Sequence, residues 1–378
     1  MGALAAAFQK FQPLAKTRRV GPIGLECSLE ELHMVQMATD SDGSLHVNAW
    51  ASVPFDMPRE ELLASPKRMR ELVQRTLKAN RFQGQLVVSV LPSSGTRIQS
   101  LSYQVREGQP ESEAILDLLA ERLDGELSDY VIDYIPVRTK TRTEDRMAIV
   151  AIAKQETVIL YLEMLRKSGL VAGSLEIGPA AIRRLISAIG RKDTPENVLA
   201  INFGRQSSYL SVISGSRLIF DQQISFGENE LLSVIASTLD MSVDAVHELV
   251  SKASFDPGAT SSREPASGLD IDVSETLLEI VKPLVVRVAE EIKRALIFTT
   301  SQTRGQAVSR IYLLGSMARW HGMDHLLNSV IKLPVETIPN PLQTFHREGA
   351  PDKNSSMQAK PELALATGLA LRGMLDHV

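Results

Sequence analysis

The sequence has little cysteine, no long apolar run and no excess of positive charge. Its single cysteine, Cys27, excludes an intrachain disulfide framework and fits a reducing compartment. No stretch approaches about 18 uninterrupted apolar residues, so no transmembrane helix is expected. The net charge of −4 provides no general basic field for nucleic acid. What remains is a folded chain of 378 residues, which is long enough for two or more lobes.

Familiar catalytic signatures are missing as well. There is no nucleophile elbow and no Walker A lysine. His321 and His325 stand four residues apart, but no third ligand accompanies them, which favours surface histidines over a zinc site. Residues 1–19 carry their basic residues after the apolar ones, the wrong order for a secretory signal. We predict a flexible N-terminal arm there, with a weak interfacial arm as the alternative.

The most informative stretch runs from Val198 to Leu232. A short apolar strand leads into a polar turn, two further strands form a hairpin, and Gly227 precedes a helix with apolar periodicity. This order matches the second phosphate-binding element of the actin-like nucleotide-binding fold, where backbone N–H groups and small hydroxyls face phosphate oxygens. A plain β-meander with a glycine turn is the alternative.

The remaining pattern predicts an α/β protein with a two-lobed actin-like (ribonuclease-H-like) fold and an inserted small β-α-β-β-α subdomain of the 1C type. Three strands, a helix and a strand open the first lobe, and the second lobe also starts with three strands. The predicted domains are the first lobe (1A) at residues 20–100 with 173–196, the inserted subdomain at 101–172, and the second lobe (2A/2B) at 197–378. Mobile loops are predicted near 254–274 and 344–361.

An actin-like site needs acidic groups for hydrated Mg²⁺ and two hairpin turns that face phosphates. In the first turn, Glu26 stands where aspartate is usual, Ser28 where glycine is usual, and His33 where lysine often lies. In the second, Asn202 replaces the usual aspartate and removes a negative charge, which weakens magnesium binding. The groups that remain to face phosphates there are small: Gly204, Ser207 and Ser208, with Gly227 closing the element.

Two further segments are candidates for the nucleoside. Glu290, Lys293 and Arg294 form a Glu-x-x-Lys-Arg string on a long helix, which in actin-like ATPases packs on adenosine; a charged helix surface is the alternative. A third turn contains Gly315 and Ser316 but keeps only one of the two or three glycines usual there.

The collinear set of these segments resembles the PilM family of type IV pilus assembly proteins, relatives of the bacterial cell-division protein FtsA. The resemblance covers nearly all of the chain from about Val20. It rests on LVVSVLPSS with the module after it, AIVAIAKQETVILYLEMLRKSGLVAGSLEI, VLAINFGRQSSYLSVISGSRLIFDQQISFGENEL, IYLLGSMARWHGMDHLL with LPVETIPNPL, and ELALATGLALRG.

The resemblance implies a cytoplasmic scaffold that is peripheral to the inner membrane through a partner. That partner is a PilN-like bitopic inner-membrane protein, whose N-terminal cytoplasmic peptide binds a groove involving subdomains 1A and 1C. Pilus motor components are further implied partners, and nucleic acid is not one. ATP with Mg²⁺ is the implied cofactor, with Glu26 facing the metal. Because Glu26, Ser28, Asn202 and Ser316 all depart from the nucleotide motifs, we expect a degenerate cleft and no enzymatic activity.

Two alternatives stay open. One is an active enzyme of the actin, heat-shock-protein and sugar-kinase superfamily that hydrolyses Mg-ATP or transfers its phosphate. The other is an FtsA-like protein that forms filaments, which the inserted module disfavours.

Overall fold

The computed structural model describes residues 19–92, 95–137, 146–190, 197–258, 271–303, 305–345 and 360–374. The predicted arm at residues 1–19 lies outside these ranges except for Arg19, and so does most of the predicted loops at 254–274 and 344–361. Among the helices that fall within the ranges, none is both long and apolar enough to cross a membrane.

The described segments contain both strands and helices. In chain order the strands are β1 (Arg19–Cys27), β2 (Glu31–Thr39), β3 (Leu45–Pro54), β4 (Leu86–Val90), β5 (Arg97–Tyr103), β6 (Tyr130–Val137), β7 (Arg146–Lys154), β8 (Val171–Glu176), β9 (Asn197–Phe203), β10 (Ser208–Ser214), β11 (Arg217–Ile224), β12 (Val308–Gly315) and β13 (Val335–Thr337). The helices are α1 (Arg59–Ala64), α2 (Pro66–Ala79), α3 (Glu111–Ala120), α4 (Gln155–Lys167), α5 (Gly178–Ile189), α6 (Glu228–Leu239), α7 (Val243–Lys252), α8 (Ile271–Gln302), α9 (Met323–Ile331) and α10 (Ala364–Ala370).

The two lobes are built on sheets of the same topology. The first lobe has the strand order β3-β2-β1-β4-β8, and the second has β11-β10-β9-β12-β13. In each sheet the first three strands are antiparallel, and the last two run parallel to the first strand. The turns after β1 and after β9 therefore occupy equivalent places, at the carboxyl ends of the central strands.

The outer face of the first lobe is covered by helices whose apolar side chains recur at helical spacing. Helix α2 begins at Pro66, where a missing N–H costs nothing, and buries Met69, Leu72, Val73 and Thr76. The three apolar side chains among them share a core with strand residues of β1 and β2. The sequence-based domain boundaries place α4 in the inserted module, but the structure packs its buried side chains into this same core.

The inserted module has a small sheet and a core of its own. Its strands pair in the order β5-β7-β6, and Leu101, Ile115, Leu119 and Val150 pack together between this sheet and α3. Alternation along β7 sends Ile149 to the opposite face, which packs against the second lobe. The module therefore contacts both lobes.

Helix α10 returns to the first lobe after the second lobe is complete. The sequence predicts a single second lobe over 197–378, whereas the structure packs α10 against α5, β1 and β2. Small residues allow this close approach, since a Cβ at Gly368 would clash with the backbone of Ala181. Leu369 joins Val88 and Val90 in a separate apolar cluster. The two lobes are thus joined at α5 and again at α10.

Candidate functional site in the cleft between the lobes

A cavity of about 200 Å³ lies between the two lobes, where the turns after β1 and β9 face each other. Several predicted site residues meet here from separate parts of the chain. Those that line the cavity are Glu26, Ser28, Asn202, Gly204, Ser207, Gly315 and Ser316. Two more, Ser208 and Gly227, lie directly behind the second turn.

The first turn is held together by its own side chains and backbone. The Ser28 hydroxyl donates to the carbonyl oxygen of Glu31 at 2.9 Å and accepts from the Glu31 N–H at 3.1 Å. The Ser28 N–H also donates to the Glu31 carbonyl, at 2.9 Å. The serine that stands in a phosphate-binding position is therefore used to close the hairpin.

The second turn is held by backbone bonds and by the start of α6. The Gly204 N–H donates to the Ser207 carbonyl at 3.2 Å. The first N–H groups of α6, from Glu228 and Asn229, donate to the carbonyls of Gly204 and Arg205 at 3.0 and 2.9 Å. These are the donors that a helix offers to an anion, and here backbone carbonyls occupy them.

Four other small residues of this region also make internal contacts. The buried Ser208 hydroxyl donates to the Phe226 carbonyl at 2.6 Å, and a Cβ at Gly227 would clash with the backbone of Arg205. Gly315 has a φ of +79° and lies against Phe203, whose carbonyl also accepts from the Ser316 hydroxyl at 3.3 Å. The glycines serve close backbone packing at the end of β9.

Charged side chains join the two turns across the cleft. The Arg205 Nε lies 3.1 Å from Glu30 of the first lobe, and its Nη1 lies 3.8 Å from Glu228. Glu228 is buried and accepts from the Trp320 indole N–H at 2.8 Å. Arg319 forms a further ion pair with Glu362, which lines the cavity. The arginine of the second turn is therefore bound to carboxylates of the protein itself.

Burial shifts the protonation of two first-lobe residues near the cleft. Burial, with the charge of Glu31 as a smaller cause, raises the pKa of Glu26 to about 8, so this carboxyl is neutral at pH 7. One of its oxygens is buried and has no hydrogen-bond partner among the described residues. Burial also lowers the pKa of His33 to about 4, because it outweighs the opposing effect of Glu31, and His33 is neutral.

These properties decide how well the cleft suits a magnesium-bound triphosphate. Asn202 brings no negative charge to attract a hard cation. In the parts of the chain that the structure describes, no three acidic, histidine or cysteine side chains are grouped to hold a metal. The predicted phosphate-facing hydroxyls of Ser28, Ser208 and Ser316 are bound to backbone. In this arrangement these three hydroxyls are engaged within the protein, while Ser207 lines the cavity.

The structure does not bring the predicted nucleoside residues to this cavity. Glu290, Lys293 and Arg294 lie on α8, and none of them lines it. Lys293 pairs with Glu290 at 3.4 Å, and Arg294 pairs with Glu291. Their pairing is that of neighbouring charges on a helix surface.

Sequence reasoning missed the charged residues that dominate the cleft. Arg205 stands inside the glycine-bearing turn, and Glu228 follows Gly227 directly, so both were adjacent to residues already singled out. Their role was hidden because a local pattern does not show which opposite charge lies across the cleft. Glu30 lies two residues after Ser28 in the first turn, while Arg319 and Glu362 come from distant parts of the chain and carry no local signal.

Comparison with known proteins agrees with this architecture. Among solved structures, the chain is similar to one titled "PilM-PilN type IV pilus biogenesis complex", with a TM-score of 0.72 and 23% identity over 94% of this chain and 99% of that chain. It is also similar to the ethanolamine utilization protein EutJ from Carboxydothermus hydrogenoformans, with a TM-score of 0.51 and 13% identity over 96% and 92% of the two chains. For the MamK double helical filament, the TM-score is 0.50 and the identity 10%, over 94% and 98%.

These structural similarities confirm the predicted actin-like α/β fold. A family model described as type IV pilus assembly protein PilM matches residues 24–374, which is most of the chain. The chain therefore belongs to the PilM family of type IV pilus assembly proteins.

Proposed function

We propose that this protein is a cytoplasmic scaffold of type IV pilus assembly, peripheral to the inner membrane, whose cleft does not hydrolyse nucleotide. One observation carries the proposal: the turns that face phosphates in an actin-like enzyme are here bonded to their own backbone and to α6. The Arg205–Glu30 ion pair spans the space between them. Such a cleft orders two lobes and leaves few groups for catalysis.

The proposed partner is a PilN-like bitopic membrane protein, bound through its N-terminal cytoplasmic peptide. The similarity to a structure titled as a PilM-PilN complex supports this partner. Helix α4 supports the location, because it lies between the first lobe and the module and contacts β6. Its outer face exposes Ile159 at 49% and Leu160 at 60%, and β6 exposes Val131 at 43%. An apolar peptide face would cover these side chains.

A binding measurement tests this proposal. The probe is a synthetic peptide with the N-terminal cytoplasmic sequence of the PilN-like partner, titrated calorimetrically into the purified chain. We expect Leu160→Asp to weaken binding at least about tenfold, because the charge would be buried beneath an apolar peptide. Ile297→Asp is the matched control, since Ile297 is a still more exposed helix residue, at 71%, on the second lobe.

Two results would overturn the proposal. If the peptide did not bind the unaltered chain, the proposed partner would be wrong. If both variants weakened binding equally, the proposed binding site on α4 would be wrong. Magnesium-dependent phosphate release from ATP that Glu26→Ala abolishes would instead establish an active site in the cleft. Binding of pilus motor components remains a prediction for the same purified protein.

A further inference from the structure

The outer face of the first lobe carries a concentration of positive charge that its cleft and peptide surface do not explain. Residues 66–81 contain six cations and one acid, Glu71, in a chain whose net charge is −4. We call the six exposed cations the basic face: Lys67, Arg68, Arg70, Arg75, Lys78 and Arg81. None of them forms an ion pair within the described residues. Their charge is therefore not neutralised within this part of the chain.

Two more cations lie next to the basic face. The Gln74 side chain of α2 donates to the Ser168 carbonyl at 3.2 Å, which brings the end of α4 against the middle of α2. Arg166 and Lys167, both exposed, precede that contact directly, and Lys167 is paired with Glu163. The positive surface therefore continues from one helix to the other.

We propose that the basic face docks directly on the anionic headgroups of a membrane. The positive charge of this face supports an anionic membrane as the partner, since each lysine or arginine near an anionic bilayer surface favours binding. Residues 66–81 contain no aromatic side chain on which a nucleic-acid base could stack.

This inference does not rest on the proposed peptide partner. Docking through the first lobe would hold the chain at the membrane by a second contact, in addition to any bitopic protein. It is therefore tested with the purified full chain alone, so that its failure and the failure of peptide binding are separate results.

The experiment is sedimentation with vesicles of equal parts phosphatidylglycerol and phosphatidylcholine, beside vesicles of phosphatidylcholine alone. We expect binding to the anionic vesicles only, weakened by added salt because the headgroup charges are screened. The triple variant Arg70→Gln, Arg75→Gln and Lys78→Gln should lower the partition coefficient by roughly tenfold to a hundredfold. Glutamine keeps the helix propensity of these exposed positions.

A matched triple variant controls for net charge. Lys252→Gln, Lys282→Gln and Lys332→Gln remove three exposed cations from the second lobe, and binding should persist. Equal loss in both triple variants, or equal binding to neutral vesicles, would overturn the proposal. Tighter binding to polyglutamate or to duplex DNA than to anionic vesicles would also overturn it and would identify a different class of partner. Circular dichroism of each variant confirms that it is folded.

Discussion

In the first lobe, the turn after the central strand is closed by a serine hydroxyl that bonds twice to Glu31. In the second lobe, the equivalent turn is closed by a glycine N–H and anchored by the first two N–H groups of α6. The strand order is the same, yet the second turn is fixed to a helix, whereas the first is bonded within its own hairpin and to the residue after β3, where the Phe55 N–H donates to the Glu30 carbonyl at 2.7 Å. Repeated topology therefore preserves the place of a turn while its internal chemistry changes.

The cleft between these turns shows what the difference allows. Arg205 of the helix-anchored turn reaches Glu30 of the hairpin turn, so the firmly held turn provides the cation and the hairpin provides the acid. The buried Glu228 below Arg205 adds a second carboxylate. The Arg205–Glu30 ion pair therefore joins the two lobes.

The largest expected loss of stability is at a position where the two central strands, β1 and β9, differ. Gly24 of β1 lies under α10, and a Cβ there would clash with the backbone of Ala366 and Ala370. The corresponding position of β9 holds Ala200, which is buried without such a constraint. Gly24→Ala should lower the free energy of unfolding by about 3 kcal/mol, measured by urea denaturation.

Gly178→Ala is the matched control for that substitution. A Cβ at Gly178 would have only Leu365 nearby, at 3.7 Å, which is an ordinary contact. If Gly24→Ala lowered the free energy of unfolding no more than Gly178→Ala does, α10 would not pack closely on β1 at Gly24.

An intermediate effect on stability, one that depends on pH, is expected from the buried carboxyl of each lobe, Glu26 in the first and Asp221 in the second. Burial raises the pKa of Asp221 to about 7, although a 2.5 Å hydrogen bond from Ser211 opposes this, and the pKa of Glu26 to about 8. Each folded-state pKa exceeds the unfolded value, so the folded protein retains a proton that the unfolded chain releases. The contribution of each protonated carboxyl to the free energy of unfolding is fully present below about pH 4. It declines as the pH rises, until about pH 7 for Asp221 and about pH 8 for Glu26.

Substitution of each carboxyl by the neutral amide tests whether stability falls with rising pH. Asp221→Asn and Glu26→Gln should each gain stability relative to the unaltered protein as the pH rises from 4 to 8, because the amides do not titrate. The gain should reach its plateau earlier for Asp221→Asn. Thermal unfolding across this pH range measures both, and profiles parallel to that of the unaltered protein would contradict the prediction.

The smallest expected change in stability comes from the ion pairs of Arg205 with Glu30 and Glu228, which should differ in strength. Glu30 is about half exposed, so Glu30→Gln should cost less than about 1 kcal/mol and the cost should vanish at high salt. Arg205→Ala also leaves the buried Glu228 without its cation, so it should cost roughly 1 to 3 kcal/mol more. Denaturation at low and high salt compares them, and equal costs would show that Glu228 does not depend on Arg205.

Much of the fold could be predicted because its signals are local. The alternation in Ser44 to Val53, the periodicity of α2 and the strand–turn–strand pattern at Val198 each reflect side chains that face one core. Domain boundaries were harder to predict, since α4 and α10 are ordinary amphipathic helices whose choice of lobe depends on distant surfaces. The same reason hid Glu30 and Glu362, which acquire a role only from an arginine across the cleft.

The sequence by itself determined the two repeated α/β units, the family and the departures at Glu26, Ser28 and Asn202, because these depend on residue type and on order along the chain. Only the tertiary structure decided what the departures do. Hydroxyls and N–H groups of the turns bond to neighbouring backbone, and Arg205 meets Glu30, because folding brings separate segments within hydrogen-bonding distance. Burial, which no local pattern specifies, also decided that Glu26 is neutral at pH 7.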